Sequence, residues 1–127
     1  MRVLLNPSDP KPLYRQLMDQ VMEAIFTGEL QPGDPLPPIR KGAVQWCVSV
    51  ITVKRAWEEL TDMGLLSGQP GRGCFVAKMD QEQRRTLGLL LGRGAMEEAA
   101  ARCRRLGLSQ QEAQSLLEQV WRAASAD

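Results

Sequence analysis

Apolar residues recur along this chain with two different periods. Leu13, Leu17, Val21 and Ile25, with Tyr14 and Met18 alongside, fall three and four apart. That spacing predicts a helix opening at Pro12 and ending at Gly28. Residues 1–11 carry Pro7 and Pro10 and no period, so an N-terminal arm is expected there. The segment QPGDPLPP (31–38) is a turn-rich connector that no helix can cross. A short helix is predicted from Pro38 to Trp46. Ser49 is placed to cap the next one, because its hydroxyl can accept from an early backbone N–H. Val53, Ala56, Trp57 and Leu60 form the apolar stripe of that helix, and Gly64 is its natural stop. From Leu65 to Ala77 the period shortens. A short apolar run, a turn in GQPGRG (68–73) and the string CFVA predict a β-hairpin with a flexible tip.

Helix, short helix, helix, hairpin is the order of a winged helix-turn-helix. The remainder of the chain reads as helical, so the fold class is mainly α with one small β-hairpin. Leu87, Leu91, Ala95, Ala99, Cys103 and Leu106 mark one apolar stripe, which Gly88, Gly92 and Gly94 weaken or kink. Gly107 ends it. Ser109 and Glu112 then form an S-x-x-E capping box ahead of Ala113, Leu116, Leu117, Val120 and Trp121. Two amphipathic helices make too small a body to bury both stripes alone. A symmetric homodimer is therefore expected, held by Leu87, Leu91, Ala99, Cys103, Leu106, Leu116, Leu117, Val120 and Trp121. The competing arrangement folds the tail back on the first domain. The expected divisions are an arm (1–11), a winged helix-turn-helix (12–78) and a helical dimerisation tail (79–127).

Composition narrows the chemistry more than the fold. The chain of 127 residues is 43% hydrophobic and 24% charged, which excludes wholesale disorder. It contains no histidine, so the usual general base and metal ligand are missing. Cys47, Cys74 and Cys103 are scattered singly and odd in number, which is neither a zinc spacing nor a disulfide framework. GQPGRG lacks the Lys-Ser/Thr of a phosphate loop and precedes a strand. No enzyme activity, cofactor or metal is expected. Uncharged runs are too short to span a bilayer, and no leader opens the chain, so the expected location is the cytoplasm. The net charge of +1 conceals a segregation. Pro35 to Trp57 holds Arg40, Lys41, Lys54 and Arg55 with no acid, and Met63 to Met79 holds Arg72 and Lys78 with no acid. Two acid-free basic stretches can offer one positive face to phosphate.

These strings also carry a resemblance. PLYRQLMDQVMEAIFTGELQPGDPLPPIR (12–40), VSVITVKRAWEELTDMGLL (48–66) and GRGCFVA (71–77) resemble the DNA-binding domain of GntR-family transcription regulators. The G-x-L-x-P-G-D-x-L-P-x-x-R spacing, the V-x-x-x-T-V-x-x-A helix and the G-R-G wing occur in order. Larger members of the family append an effector-binding domain. The fifty or so residues left here are similar instead to the small YtrA-type branch, whose two C-terminal helices make a dimer.

The resemblance implies a recognition helix from Ser49 to Met63 that enters a major groove by its first turns. Ser49 and Thr52 would meet phosphate, Val50, Ile51, Lys54 and Arg55 would face outward, and Arg40 would meet DNA from the helix before. In the wing, Gly71 and Gly73 would let the backbone approach while Arg72 reaches phosphate or the minor groove. Plainer roles compete at several of these positions. Arg40 could cap or pair within the domain, Thr52 could serve its own helix, and Arg55 could pair with Glu58 or Glu59. Trp46 and Trp57 read as core. The chain departs from the family where Val50 and Ile51 replace polar or basic residues, so readout there would be methyl contact with thymine. It also departs at Gly42, which replaces a leucine whose volume Trp46 could fill, and at Cys47, where the turn often has glycine. The expected function is a dimeric, sequence-specific regulator, a repressor on a palindromic double-stranded operator. The alternative is a winged-helix protein-contact module with weak or lost DNA binding. Whether an unknown small-molecule effector acts stays open; its entry would be the tail.

Overall fold

The computed structural model describes residues 1–125 and divides into two compact units, Met1–Asp80 and the segment from Gln81 onward. The first unit holds three helices and a hairpin. Helix α1 spans Leu13–Thr27, α2 spans Ile39–Trp46 and α3 spans Val50–Asp62; strands β1 (Leu66–Gln69) and β2 (Gly73–Val76) follow. Pro12 occupies the position just before α1, one residue earlier than the sequence places it in the helix. The core is the meeting of the predicted stripes. Leu17, Val21 and Ile25 of α1, Val53, Ala56 and Leu60 of α3, and Leu65, Leu66 and Val76 at the base of the hairpin are all buried, and α3 meets both α1 and β1. Burying a side chain of this class contributes about 1.5–3 kcal/mol of transfer free energy. Trp57 is also buried, its indole N–H donating to the Pro37 carbonyl at 3.1 Å, and the Trp46 ring meets it edge-on at 5.9 Å and 83°.

The hairpin is antiparallel, with Leu66 opposite Val76 and Gln69 opposite Gly73. Its tip is a type II turn. Arg72 N–H donates to the Gln69 carbonyl at 2.9 Å, Pro70 presets the first corner, and Gly71 takes the positive φ of 74° that the second requires. The connector before α2 does more than turn. Pro35 bridges Phe75, Leu36 N–H donates to the Cys74 carbonyl and Val76 N–H to the Asp34 carbonyl, so it pairs as a short edge against β2. Proline is tolerated there because an edge needs no donor on its open side.

Residues 1–11 lie along α1. The amide of Gln16, the one buried polar side chain among the described residues, accepts from Asn6 N–H and donates to the carbonyls of Asn6 and Lys11. Gln20 makes the same two-way contact with the backbone of Leu4.

The second unit is a helical pair, α4 (Gln81–Arg105) and α5 (Gln110–Ser125). Gly88, Gly92 and Gly94 leave α4 unbroken over its 25 residues. The chain reverses at Gly107, whose φ is 85°. The capping box then forms as predicted: Glu112 N–H donates to Ser109 Oγ at 3.1 Å, and Ser109 N–H donates to Glu112 Oε1 at 2.9 Å. The Ser109 backbone N–H first, and the Ser109 hydroxyl after it, hold the Glu112 carboxyl below the usual carboxylate range. A groove between the two helices is lined by Met96, Ala99, Cys103, Leu116, Leu117 and Val120.

Candidate nucleic-acid interface

Polar groups at the start of α3 are set by its cap. Ser49 is extended, with φ −72° and ψ 153°, and its Oγ accepts from Thr52 N–H at 3.1 Å. The two hydroxyls lie 2.9 Å apart. One hydroxyl proton is spent between them, which leaves one O–H, on whichever residue accepts, free to donate outward. The first turn of α3 contains no acid, and its unpaired backbone N–H groups favour an anion in front of it. Among the described residues no buried side-chain polar atom lacks a partner and no cluster could hold a metal ion.

The positions expected to face outward do so. Val50 and Ile51 are exposed, Ile51 to 77%, while Val53 of the same turn is fully buried. Lys54 projects one turn beyond Val50 and lies 3.9 Å from Glu58. Arg55 is committed within its domain. Its guanidinium sits 3.9 Å above the Tyr14 ring, and its Nε lies 3.9 Å from Glu59. The plainer reading of Arg55 is therefore the one its surroundings favour. Arg40 is exposed on the first turn of α2, and Arg72 is exposed on the hairpin tip between Gly71 and Gly73. Gly73 has φ 107°, so both wing glycines occupy backbone regions that side chains rarely adopt.

Two residues near this surface escape the sequence reading. Tyr14 counts as one apolar position of α1, yet its ring is the platform under Arg55; the distance between α1 and α3 in sequence hides that pairing. Val44 is 80% exposed on α2, one turn after Arg40 and so on the same face. The i, i+4 spacing from Arg40 is the signal that would have found it.

Comparison with known proteins decides the assignment. The sequence profile described as "Bacterial regulatory proteins, gntR family" matches residues 13–76. The chain belongs to the GntR family. The match spans α1 through the end of β2, the whole winged helix. Among curated relatives, the HTH-type transcriptional repressor NagR of Bacillus subtilis is 44% identical over 79 residues, covering 62% of this chain and 32% of NagR. The HTH-type transcriptional repressor YtrA of the same organism is 30% identical over 76 residues, covering 60% of this chain and 58% of YtrA. The chain thus spans less than two thirds of either relative. Among solved structures, YtrA from Sulfolobus acidocaldarius, a GntR-family transcription factor, superposes with TM-score 0.61 at 27% identity, covering 98% of this chain and 97% of that one. The DNA-binding domain of AraR in complex with operator ORX1 gives TM-score 0.53 at 29% identity, covering 58% and 92%. GntR proteins are DNA-binding transcription regulators. No described helix is long and apolar enough to cross a membrane.

Proposed function

We propose that this GntR chain is a cytoplasmic repressor that binds a palindromic operator as a homodimer. Each α3 would enter a major groove by its first turns. Two half-sites would then lie about one helical turn, roughly 34 Å, or a small multiple apart. The observation that carries this reading is the outer surface of α2, α3 and the hairpin tip. Arg40, Lys54 and Arg72, a spare hydroxyl of the Ser49–Thr52 pair and an acid-free helix start all face solvent there. Repression is taken from the relatives NagR and YtrA. Dimerisation is supported by α5, whose Leu116, Leu117, Val120 and Trp121 are all exposed in the single chain. Any small-molecule effector would enter at the α4–α5 groove.

The test is Arg72→Ala. Its side chain lies on an exposed tip, so the fold is untouched, while affinity for every duplex should fall and the slope of log K against log salt should drop by about one. An unchanged slope removes the wing from the interface. The rival protein-contact reading draws on the aliphatic Val44, Val50 and Ile51. It would prevail if no fragment of a random duplex pool were retained at moderate salt.

A further inference from the structure

Exposed large hydrophobic residues in the first unit are few, and they are not scattered. Apart from Met1 and Leu4 at the chain start, the described residues of that unit expose three: Val44, Val50 and Ile51. Val50 and Ile51 are the first two residues of α3, and Val44 lies three residues before Cys47 at the end of α2, so all three flank one turn. Isolated surface apolar side chains need no explanation, but three that flank one turn do.

The surroundings of this cluster point to its occupant. Arg40 stands one turn before Val44 on α2, Lys54 one turn after Val50 on α3 with both it and its neighbour Glu58 exposed and 3.9 Å apart, and no acid occurs from Pro35 to Trp57. The first turns of α2 and α3 both lack acids. An apolar centre with a cationic rim is complementary to a major groove, where two phosphate ridges border a floor on which the 5-methyl of thymine is the one apolar group. The side chains of Val50 and Ile51 carry no hydrogen-bonding atoms, so they cannot take the bidentate contacts that Arg makes to guanine or Asn to adenine.

We infer that α3 reads thymine by its methyl group, with Val50 and Ile51 as the specificity-determining side chains and Val44 on the other side of the turn. This rests on the DNA-binding function proposed above. Each half-site then carries thymine at the one or two positions these side chains meet. Hydrogen-bonding discrimination falls to Lys54 and to groove shape.

The experiment begins with duplexes that the full chain selects from a random pool at low salt. The best duplex is remade with deoxyuridine replacing each thymine in turn, which deletes one methyl and leaves every hydrogen-bonding group in place. One or two replacements per half-site should weaken binding about fourfold each, the equivalent of one buried methyl-sized group. With Ile51→Ala, a substitution at an exposed position, sensitivity to at least one of those replacements should disappear. Equal affinity for every deoxyuridine duplex overturns the inference, as does undiminished sensitivity in both Ile51→Ala and Val50→Ala. Selected half-sites without a common thymine overturn it too. In all three results sequence-selective binding persists, so the DNA-binding reading survives. Retention of no duplex at low salt removes that reading and the inference together.

Discussion

Cys47 shows how one residue can carry the local cost of a turn. Three helices here end in the same hydrogen-bonded pattern. Cys47 N–H donates to Val44 O and Val48 N–H to Ala43 O; Gly64 to Thr61 and Leu65 to Leu60; Gly107 to Arg104 and Leu108 to Cys103. Each pattern needs a left-handed residue, and glycine supplies it twice, at φ 85° both times. Cys47 supplies it at φ 55° with a side chain attached, the one such non-glycine among the described residues. Left-handed backbone costs a non-glycine residue on the order of 1 kcal/mol. Cys47→Gly should therefore raise unfolding stability by about that amount, seen as a higher urea midpoint at unchanged m-value. Gly42 reverses the usual argument. A Cβ built there would lie 2.8 Å from Trp46 Cζ3, so the glycine makes room for the ring. Gly42→Ala should destabilise the native chain despite its better helix propensity. In a Trp46→Ala background the same change should stabilise by about 1 kcal/mol, and a double-mutant cycle in urea checks the change of sign. Both residues were visible in the sequence as departures from a pattern, because glycine and left-handed turns are local. Gln16 was not, because its partners, the backbones of Asn6 and Lys11, belong to a segment with no period of its own.

Elements were legible where their ends carry chemistry. Ser49, Gly64, Gly107 and the Ser109–Glu112 box each mark a boundary through a bond or a backbone turn that the residue type favours, and the helices lie between those marks. The pairing of Pro35 with Phe75 was not legible, since a proline-rich connector shows neither alternation nor a regular set of donors. The α3 cap separates stability from binding. Ser49→Asp retains an acceptor for Thr52 N–H but sets a negative charge where phosphate is proposed to lie. Thermal stability should hold within about 0.5 kcal/mol, the spread among good capping residues, while DNA affinity falls; Ser49→Ala should lose about 1 kcal/mol of stability as well. Equal affinity of Ser49→Asp and the native chain would place phosphate elsewhere. The α5 cap answers to acid. Glu112 titrates below the usual carboxylate range when folded, so its contribution is present above its unfolded pKa and lost as pH falls through the folded one. The native chain should melt higher than Glu112→Gln at neutral pH, and the difference should close in acid when both are followed by helical circular dichroism.

The two units face opposite problems. Met1–Asp80 closes its own core, with Leu17, Val21, Ile25, Val53, Leu60 and Leu65 each at most 1% exposed. By contrast α4 and α5 have no buried residue at all, and Trp121 is 70% exposed. A helical pair that leaves so much apolar surface in water gains stability chiefly by covering it, and the proposed cover is the same pair from a second chain. If so, the tail does more than hold two chains together. Once one winged helix is seated, the tether converts binding of the second into an intramolecular step, which raises affinity for a two-half-site duplex by roughly 10²–10⁴ without a new DNA contact. Replacing Val120 and Trp121 together by Glu separates these roles, since both side chains are exposed in the monomer and lie outside the winged helix. Sedimentation should show monomers where the native chain shows dimers, and affinity for the palindrome should fall by that factor. Affinity for an isolated half-site should stay as it was, because α3 and its flanking cations are untouched. Monomers from the native chain at micromolar concentration, or a doubly substituted chain that holds the palindrome as tightly as before, would mean that the exposed stripes of α4 and α5 serve some other partner and that each winged helix binds alone.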